Sequence, residues 1–172
     1  MSGHKKWITG ITWEPFHLNT TCRRFASSSK DGDVRIWDAI TGRCERTISG
    51  HTMSVTAVIW GGSGLIYTSS QDRSVKVWRS SDGVLCKSLL GHAHWVNTLA
   101  LSTEYILRTG AKQNEAVSKY KMMCDEDGGE RLVSGSDDFT LFLWKPETDK
   151  KPIVFKSQDL LDVFLPNRPI WR

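Results

Sequence analysis

Short apolar runs broken by Gly, Ser, Thr and Asp mark this chain, and no strong helical period runs through it. One run recurs. Val34 and Ile36 alternate with Arg35 before Trp37, and Val75 and Val77 alternate with Lys76 before Trp78. Leu141-Phe142-Leu143 leads to Trp144 in the same way. Each Trp follows an Asp by six residues: Asp31, Asp72 and Asp138. Each Asp follows small hydroxyl residues that end an earlier run. The pattern predicts strand, tight turn, strand, three times over. First strands are predicted at Trp7 to Trp13, Ser54 to Trp60 and Trp95 to Leu101. Second strands fall at Arg24 to Ser28, Leu65 to Ser69 and Arg131 to Gly135. Third strands end on the three recurring Trp. Fourth strands are expected near Arg43 to Ile48, Leu85 to Leu90 and Pro152 to Lys156. Twelve short strands predict an all-β fold.

The spacings support a true repeat. Asp31 to Asp72 is 41 residues, and so is Trp37 to Trp78. Asp72 to Asp138 and Trp78 to Trp144 are both 66. The extra 25 residues fall between the first and second strands of the third unit, where 102–130 replaces the short turn Gly61 to Gly64. This insertion is expected to be a surface loop, with room for a short helix over 114–123 capped by Asn114. After Lys156 the pattern stops, and 157–172 reads as an irregular tail in which Pro166 and Pro169 limit any regular element.

Composition narrows the classes. The net charge is +4, with the positive residues scattered rather than clustered on one stripe, which is a weak basis for nucleic-acid binding. Four cysteines without a C-x-x-C spacing argue against zinc and against a disulfide framework, so reduced thiols are expected. No apolar run approaches the ~20 residues of a membrane helix. No metal-ligand spacing or phosphate-cradling glycine loop is present, and no cofactor is expected.

A Gly-His pair opens each unit, at Gly3-His4, Gly50-His51 and Gly91-His92, and a Trp stands near the close. Four strands in about 41 residues with these marks resemble the WD-repeat family of β-propellers. Only the first copy has Asp after its Trp, at Asp38; Arg79 and Lys145 stand there in the others. The resemblance implies blades at 3–49, 50–90 and 91–156. Propellers typically close with four to eight blades. The expected fold is therefore a partial propeller, whose end blades each present an apolar face. Self-association or further blades would be needed to cover them.

The family pattern also implies a buried relay of His, hydroxyl, Asp and Trp in each blade. By position these are His4, Ser27, Asp31 and Trp37; His51, Thr68, Asp72 and Trp78; and His92, Ser134, Asp138 and Trp144. A buried indole N–H needs an acceptor, a hydroxyl can accept it and donate onward to His, and Asp can accept from the other ring nitrogen. Ser, His and Asp together also suggest a nucleophilic triad. Three copies at one structural position argue instead for a structural relay, and no enzyme activity is expected. The family places the residues just after Gly-His and just before the relay Asp on one face of the disc. Here that partner-binding face would hold Lys5, Trp7, Lys30, Thr52, Ser54, Gln71, Ala93, Trp95 and Asp137. Trp13 and Trp60 align with Leu101 and are expected in the core between blades; Cys44 and Cys86 are expected as buried thiols.

Finer wording narrows the resemblance. Gly3-His4-Lys5-Lys6-Trp7-Ile8-Thr9-Gly10-Ile11 and Gly91-His92-Ala93-His94-Trp95-Val96-Asn97-Thr98 are similar to repeats of the Notchless group of WD-repeat proteins. So is Leu132 to Trp144, with an insertion at the same point of the blade. That resemblance implies a scaffold in large ribosomal subunit assembly, also linked to Notch signalling, in the nucleolus or nucleus. Its implied partners are pre-ribosomal proteins; an RNA-contacting module, in which the loop around Lys112, Lys119 and Lys121 touches ribosomal RNA, is one alternative to the scaffold. The group's contact with an AAA ATPase belongs to a ubiquitin-like domain absent from these 172 residues, so the expectation does not extend to it. A regulatory signalling adaptor without a ribosomal role is the other alternative.

Overall fold

The computed structural model describes residues 3–103, 129–146 and 152–156, together with residue 118. Among these are twelve strands in three four-stranded antiparallel sheets. The first sheet holds β1 (Ile8–Trp13), β2 (Arg24–Ser29), β3 (Asp33–Asp38) and β4 (Cys44–Ser49). The second holds β5 (Val55–Trp60), β6 (Leu65–Ser70), β7 (Ser74–Arg79) and β8 (Leu85–Leu90). The third holds β9 (Val96–Leu101), β10 (Leu132–Ser136), β11 (Thr140–Trp144) and β12 (Ile153–Lys156). In every sheet the strands lie in chain order. The expected helix over 114–123, apart from Ser118, and the tail at 157–172 lie outside the described residues.

The register repeats as faithfully as the sequence. Phe25 faces Trp37, Ile66 faces Trp78 and Leu132 faces Trp144. Each first strand carries a register shift near its start or its partner's end, at Ile8/Gly10, Val55/Ala57 and Gly135/Ser136. Such a bulge adds local twist where the inner strand leaves the face of the disc.

Two apolar layers lie between the sheets. Ala26, Val34, Ile36 and Ile48 of the first sheet pack on Val55, Val58 and Trp60 of the second. Tyr67, Val75, Val77 and Leu89 of the second pack on Val96, Leu99 and Leu101 of the third. Each sheet therefore offers alternate residues of its outer three strands to the inner strand of the next, as a period-two pattern requires.

Three expectations are corrected. Trp13 is 56% exposed whereas Trp60 is 2% exposed, because among the described residues no sheet packs against β1 from its other side. Trp13 rests on Phe25 instead, with ring centroids 5.4 Å apart. Cys86 is exposed and Cys44 is only half-buried. Both lie on the outermost strands, where in β8 only Leu89 turns into the core.

The turn after each relay Asp needs a left-handed residue: Gly32 at φ 91°, Arg73 at 69° and Phe139 at 64°. Phe139 is 81% exposed, so it gains no packing in return for that conformation. Replacing it by Gly, as the first repeat does, should raise stability by about 0.5–1 kcal/mol. A denaturant midpoint that falls for Phe139→Gly would contradict this.

Candidate functional site

Three copies of one side-chain chain lie at the same end of the three sheets. In the first, the Trp37 indole donates to Ser27 Oγ at 2.8 Å, Ser27 meets His4 Nε2 at 2.8 Å, and His4 Nδ1 meets Asp31 Oδ2 at 3.0 Å. In the second, Trp78 donates to Thr68 at 2.9 Å, Thr68 meets His51 Nε2 at 2.8 Å, and His51 Nδ1 lies 2.7 Å from Asp72. In the third the distances are 2.8 Å for Trp144 to Ser134, 2.7 Å for Ser134 to His92, and 3.2 Å for His92 to Asp138. One assignment satisfies each chain. The indole donates to the hydroxyl, the hydroxyl donates to Nε2 of a neutral imidazole, and Nδ1–H donates to the carboxylate.

The Asp does more than end the chain. Its Oδ2 also accepts the backbone N–H that follows the His, from Lys5 at 2.8 Å, Thr52 at 3.2 Å and Ala93 at 2.8 Å. Its Oδ1 accepts the N–H two residues on, from Asp33, Ser74 and Thr140. One carboxylate thus ties the Gly-His loop to the turn before the third strand.

This hydrogen bonding sets the protonation. Burial would raise the Asp31 carboxyl, but the amides of Lys5 and Asp33, His4 and Ser29 hold it down at about 2. Burial is likewise overruled at Asp72 by His51 and Ser74. At Asp138 it is overruled by the Thr140 hydroxyl, the Ala93 and Thr140 amides and His92. Burial lowers His92 below its usual range, against the pull of Asp138. For all four groups the folded value lies below the unfolded one. Their stabilisation is complete above the unfolded values and falls as pH drops, from about 6.5 for His92 and from about 4 towards 2 for Asp31. Unfolding free energy from urea melts should fall in two stages on acidification. A flat profile from pH 7 to 3 would count against it.

The predicted face residues come together pairwise beside these chains. The N–H before each relay Asp donates to the carbonyl three residues after each His. Lys30 meets Trp7 at 2.9 Å, Gln71 meets Ser54 at 3.0 Å, and Asp137 meets Trp95 at 3.1 Å. Trp7 is 76% exposed with the Lys30 ammonium 4.4 Å from its ring centroid, and Lys5 and Lys6 line the same hollow. Trp95 is 40% exposed and packs on His94, whose ring lies 3.7 Å from Asp137. Lys5, Thr52 and Ala93 are exposed, while Ser54 and Gln71 are half-buried. The end is therefore basic around Trp7 and carries a carboxylate beside Trp95.

Sequence reasoning missed two buried carboxylates at the opposite ends of the inner strands. Glu130, 1% exposed, accepts from the Gly62 amide at 2.7 Å, Thr103 Oγ1 at 2.8 Å, Tyr67 Oη at 3.1 Å and Ser63 Oγ at 3.3 Å. Glu14, 4% exposed, is gripped by Arg24, which also stacks over Trp60, and by Asn19. The two adjacent glycines at Gly61-Gly62 were the only signal for the first, since they leave room for a side chain from elsewhere. Asp38, after the first Trp, pairs with Arg23 and accepts the amides of Ile40 and Thr41, closing the β3–β4 turn. Among the described residues no three His, Cys, Asp or Glu gather as a metal site.

Comparison with known proteins agrees with this geometry. The family described as "WD domain, G-beta repeat" matches residues 1–38 and 42–79. The chain is 50% identical over 168 residues to "Protein Notchless" of Drosophila melanogaster, covering 87% of this chain and 34% of that protein. It is 53% identical over 151 residues to the "Notchless protein homolog" of Arabidopsis thaliana, covering 81% of this chain and 32% of that protein. It is 46% identical over 147 residues to "Ribosome assembly protein 4" of Saccharomyces cerevisiae, covering 76% and 28%. The chain thus spans about a third of the length of these relatives.

Proposed function

This chain belongs to the WD40-repeat family, and from that premise we propose that it is a non-catalytic protein-interaction scaffold of ribosome assembly. The observation that carries this reading is the 46–50% identity to Ribosome assembly protein 4 and Protein Notchless, over more than three quarters of the chain. The partners it supports are proteins of pre-ribosomal particles, in the nucleolus or nucleus. The large subunit is the particle that the repeat wording favours. The relay triads are structural: Ser27, Thr68 and Ser134 are 2%, 0% and 0% exposed, so a substrate cannot reach their oxygens, each of which already accepts an indole N–H.

Exposed Trp7 and Trp95 are the partner-binding anchors of this reading. Large aromatic side chains, presented on a rigid frame and flanked by charge, are what binding surfaces concentrate. The frame is the relay, since each Asp holds the loop that carries the anchor. An RNA contact through Lys112, Lys119 and Lys121 falls outside the described residues.

Gradient sedimentation of a tagged chain from cell extract tests the reading. Migration with large-subunit precursors is expected. Trp7→Ala and Trp95→Ala together should weaken that association on the order of tenfold or more while circular dichroism stays unchanged. Migration only among light soluble complexes would overturn the assembly role in favour of a signalling adaptor. Unchanged association of the double variant would remove the face but leave the role.

A further inference from the structure

Charge is unevenly matched at the exposed end of the first sheet. Several cations of the chain are paired: Arg23 with Asp38, Arg24 with Glu14 and Arg79 with Asp82. Lys5, Lys6 and Lys30 are exposed, and among the described residues none of their ammonium groups forms an ion pair. Asp31, next to Lys30 in sequence, turns its carboxylate to His4 and is only 6% exposed. The three lysines and Trp7 line one hollow of about 310 Å³. The Lys30 ammonium lies 4.4 Å from the Trp7 ring centroid, where the electron-rich face of the indole holds it.

Bonds within the blade fix this arrangement. The Lys5 amide donates to Asp31 at 2.8 Å, and the Lys30 amide donates to the Trp7 carbonyl at 2.9 Å. The Lys30 carbonyl accepts from Ser54, just before β5, at 3.3 Å. Lys30 therefore stays exposed with the second sheet packed beside it. Trp95 shows the same of the indole position. It follows a packed sheet and is still 40% exposed. The hollow is thus a property of the blade's end, where a ligand meets side chains already in position.

We infer that this hollow docks an acidic segment of a protein partner, whose carboxylates meet Lys5, Lys6 and Lys30 while an apolar side chain rests on Trp7. Charge complementarity names the occupant. Three unpaired ammonium groups attract carboxylates, and the indole between them gives an apolar side chain a seat. The same end disfavours a nucleic-acid strand. Lys30 already lies over the indole, where a base would stack, and the exposed Asp137 carboxylate beside Trp95 repels a phosphate backbone. The inference rests on the reading of this end as the partner-binding face, and adds the chemistry of the partner.

Fluorescence anisotropy on the 172-residue chain tests it. The probe is a labelled nonapeptide of eight glutamates around a central leucine. Its lysine counterpart and an oligouridine of equal length are the comparisons. The acidic peptide should bind more tightly than either, and should weaken on the order of tenfold between about 0.05 and about 0.5 M salt. Lys5→Gln with Lys30→Gln should weaken it on the order of tenfold, and Trp7→Ala about threefold. Arg43→Gln with Lys76→Gln removes the same charge from other surfaces and should change it by less than about twofold. Circular dichroism should stay unchanged for the hollow variants, whose side chains are exposed. Equal losses in the two double variants would mean diffuse attraction, and overturn the hollow. Unchanged binding by Trp7→Ala overturns the indole seat. Tighter binding of oligouridine, lost with Lys5 and Lys30, overturns the protein partner in favour of RNA. Failure here is separable from failure of the face. If the acidic peptide ignores the hollow while Trp7→Ala with Trp95→Ala still loses the precursors, the face stands and its acidic partner falls.

Discussion

Asp72→Ala should lower the unfolding free energy by about 3–5 kcal/mol, the largest loss expected at any relay position. The carboxylate accepts from His51 Nδ1, the Thr52 amide, the Ser74 amide and the Ser74 hydroxyl. Ala removes the acceptor and leaves all four donors, of which the His51 side chain is only 1% exposed. An unmade buried hydrogen bond costs more than a made one contributes. The second sheet also packs on both others, so loosening it disturbs both apolar layers. Two milder variants grade the effect. Asp72→Asn keeps the shape and one acceptor oxygen but turns an NH2 towards a donor, for about half that loss. Trp78→Phe keeps most of the ring and deletes one donor, leaving the Thr68 hydroxyl to His51, for about 1–2 kcal/mol. Urea melts of the three variants should rank them in that order. If Asp72→Ala came within about 0.5 kcal/mol of the parent, a level typical of bland surface changes, the relay would not be a stabilising device.

Much of this was legible because the repeat carries its own controls. Alternation at Val34-Arg35-Ile36 and Val75-Lys76-Val77 fixed which residues face the neighbouring sheet, since a one-residue slip would turn every side chain over. The constant Asp-to-Trp interval fixed the relay members, because a hairpin with a set register puts Ser27, Thr68 and Ser134 within reach of the Trp ten residues on. Burial was less legible, because it belongs to the neighbour as much as to the residue. Trp13 and Trp60 occupy the same position of the same unit, and only the presence of a preceding sheet separates them. Cys86 is expected to be buried because it lies in a fourth strand, but that outermost strand turns only one residue in two towards a neighbouring sheet.

The family match divides the chain differently from the sheets, and the difference bears on how the scaffold holds together. The second matched segment, 42–79, begins with β4 of the first sheet and ends with β7 of the second. One sequence unit therefore straddles two sheets. His51 lies on the connection between them and is bound by Asp72 and Thr68 of the second. The relay thus anchors an inter-sheet crossing as well as a turn. That is why a single carboxylate reaches the Gly-His loop, the turn and the exposed end together.

Glu130 is where the sequence was silent and the second large effect is expected. Its four donors come from Gly62 and Ser63 of the β5–β6 turn, Tyr67 of β6, and Thr103 at the start of the insertion. Glu130→Ala should cost about 2–4 kcal/mol, because the Gly62 amide and the Thr103 hydroxyl would be left buried without this acceptor. Gly61→Ala should cost about 1–3 kcal/mol for a different reason. A Cβ there would collide with Glu130 Oε2 and lie 2.8 Å from the Tyr67 ring. The carboxylate cannot swing aside cheaply, since four hydrogen bonds fix it. The two changes must therefore couple. With Glu130 already truncated, the added methyl meets open space on that side and retains only the Tyr67 contact. A double-mutant cycle by urea melts should give a coupling of about 1 kcal/mol or more, with the pair less destabilised than the sum. Strict additivity would mean that Gly61 and Glu130 do not share one site, and that the tie between the second and third sheets lies elsewhere.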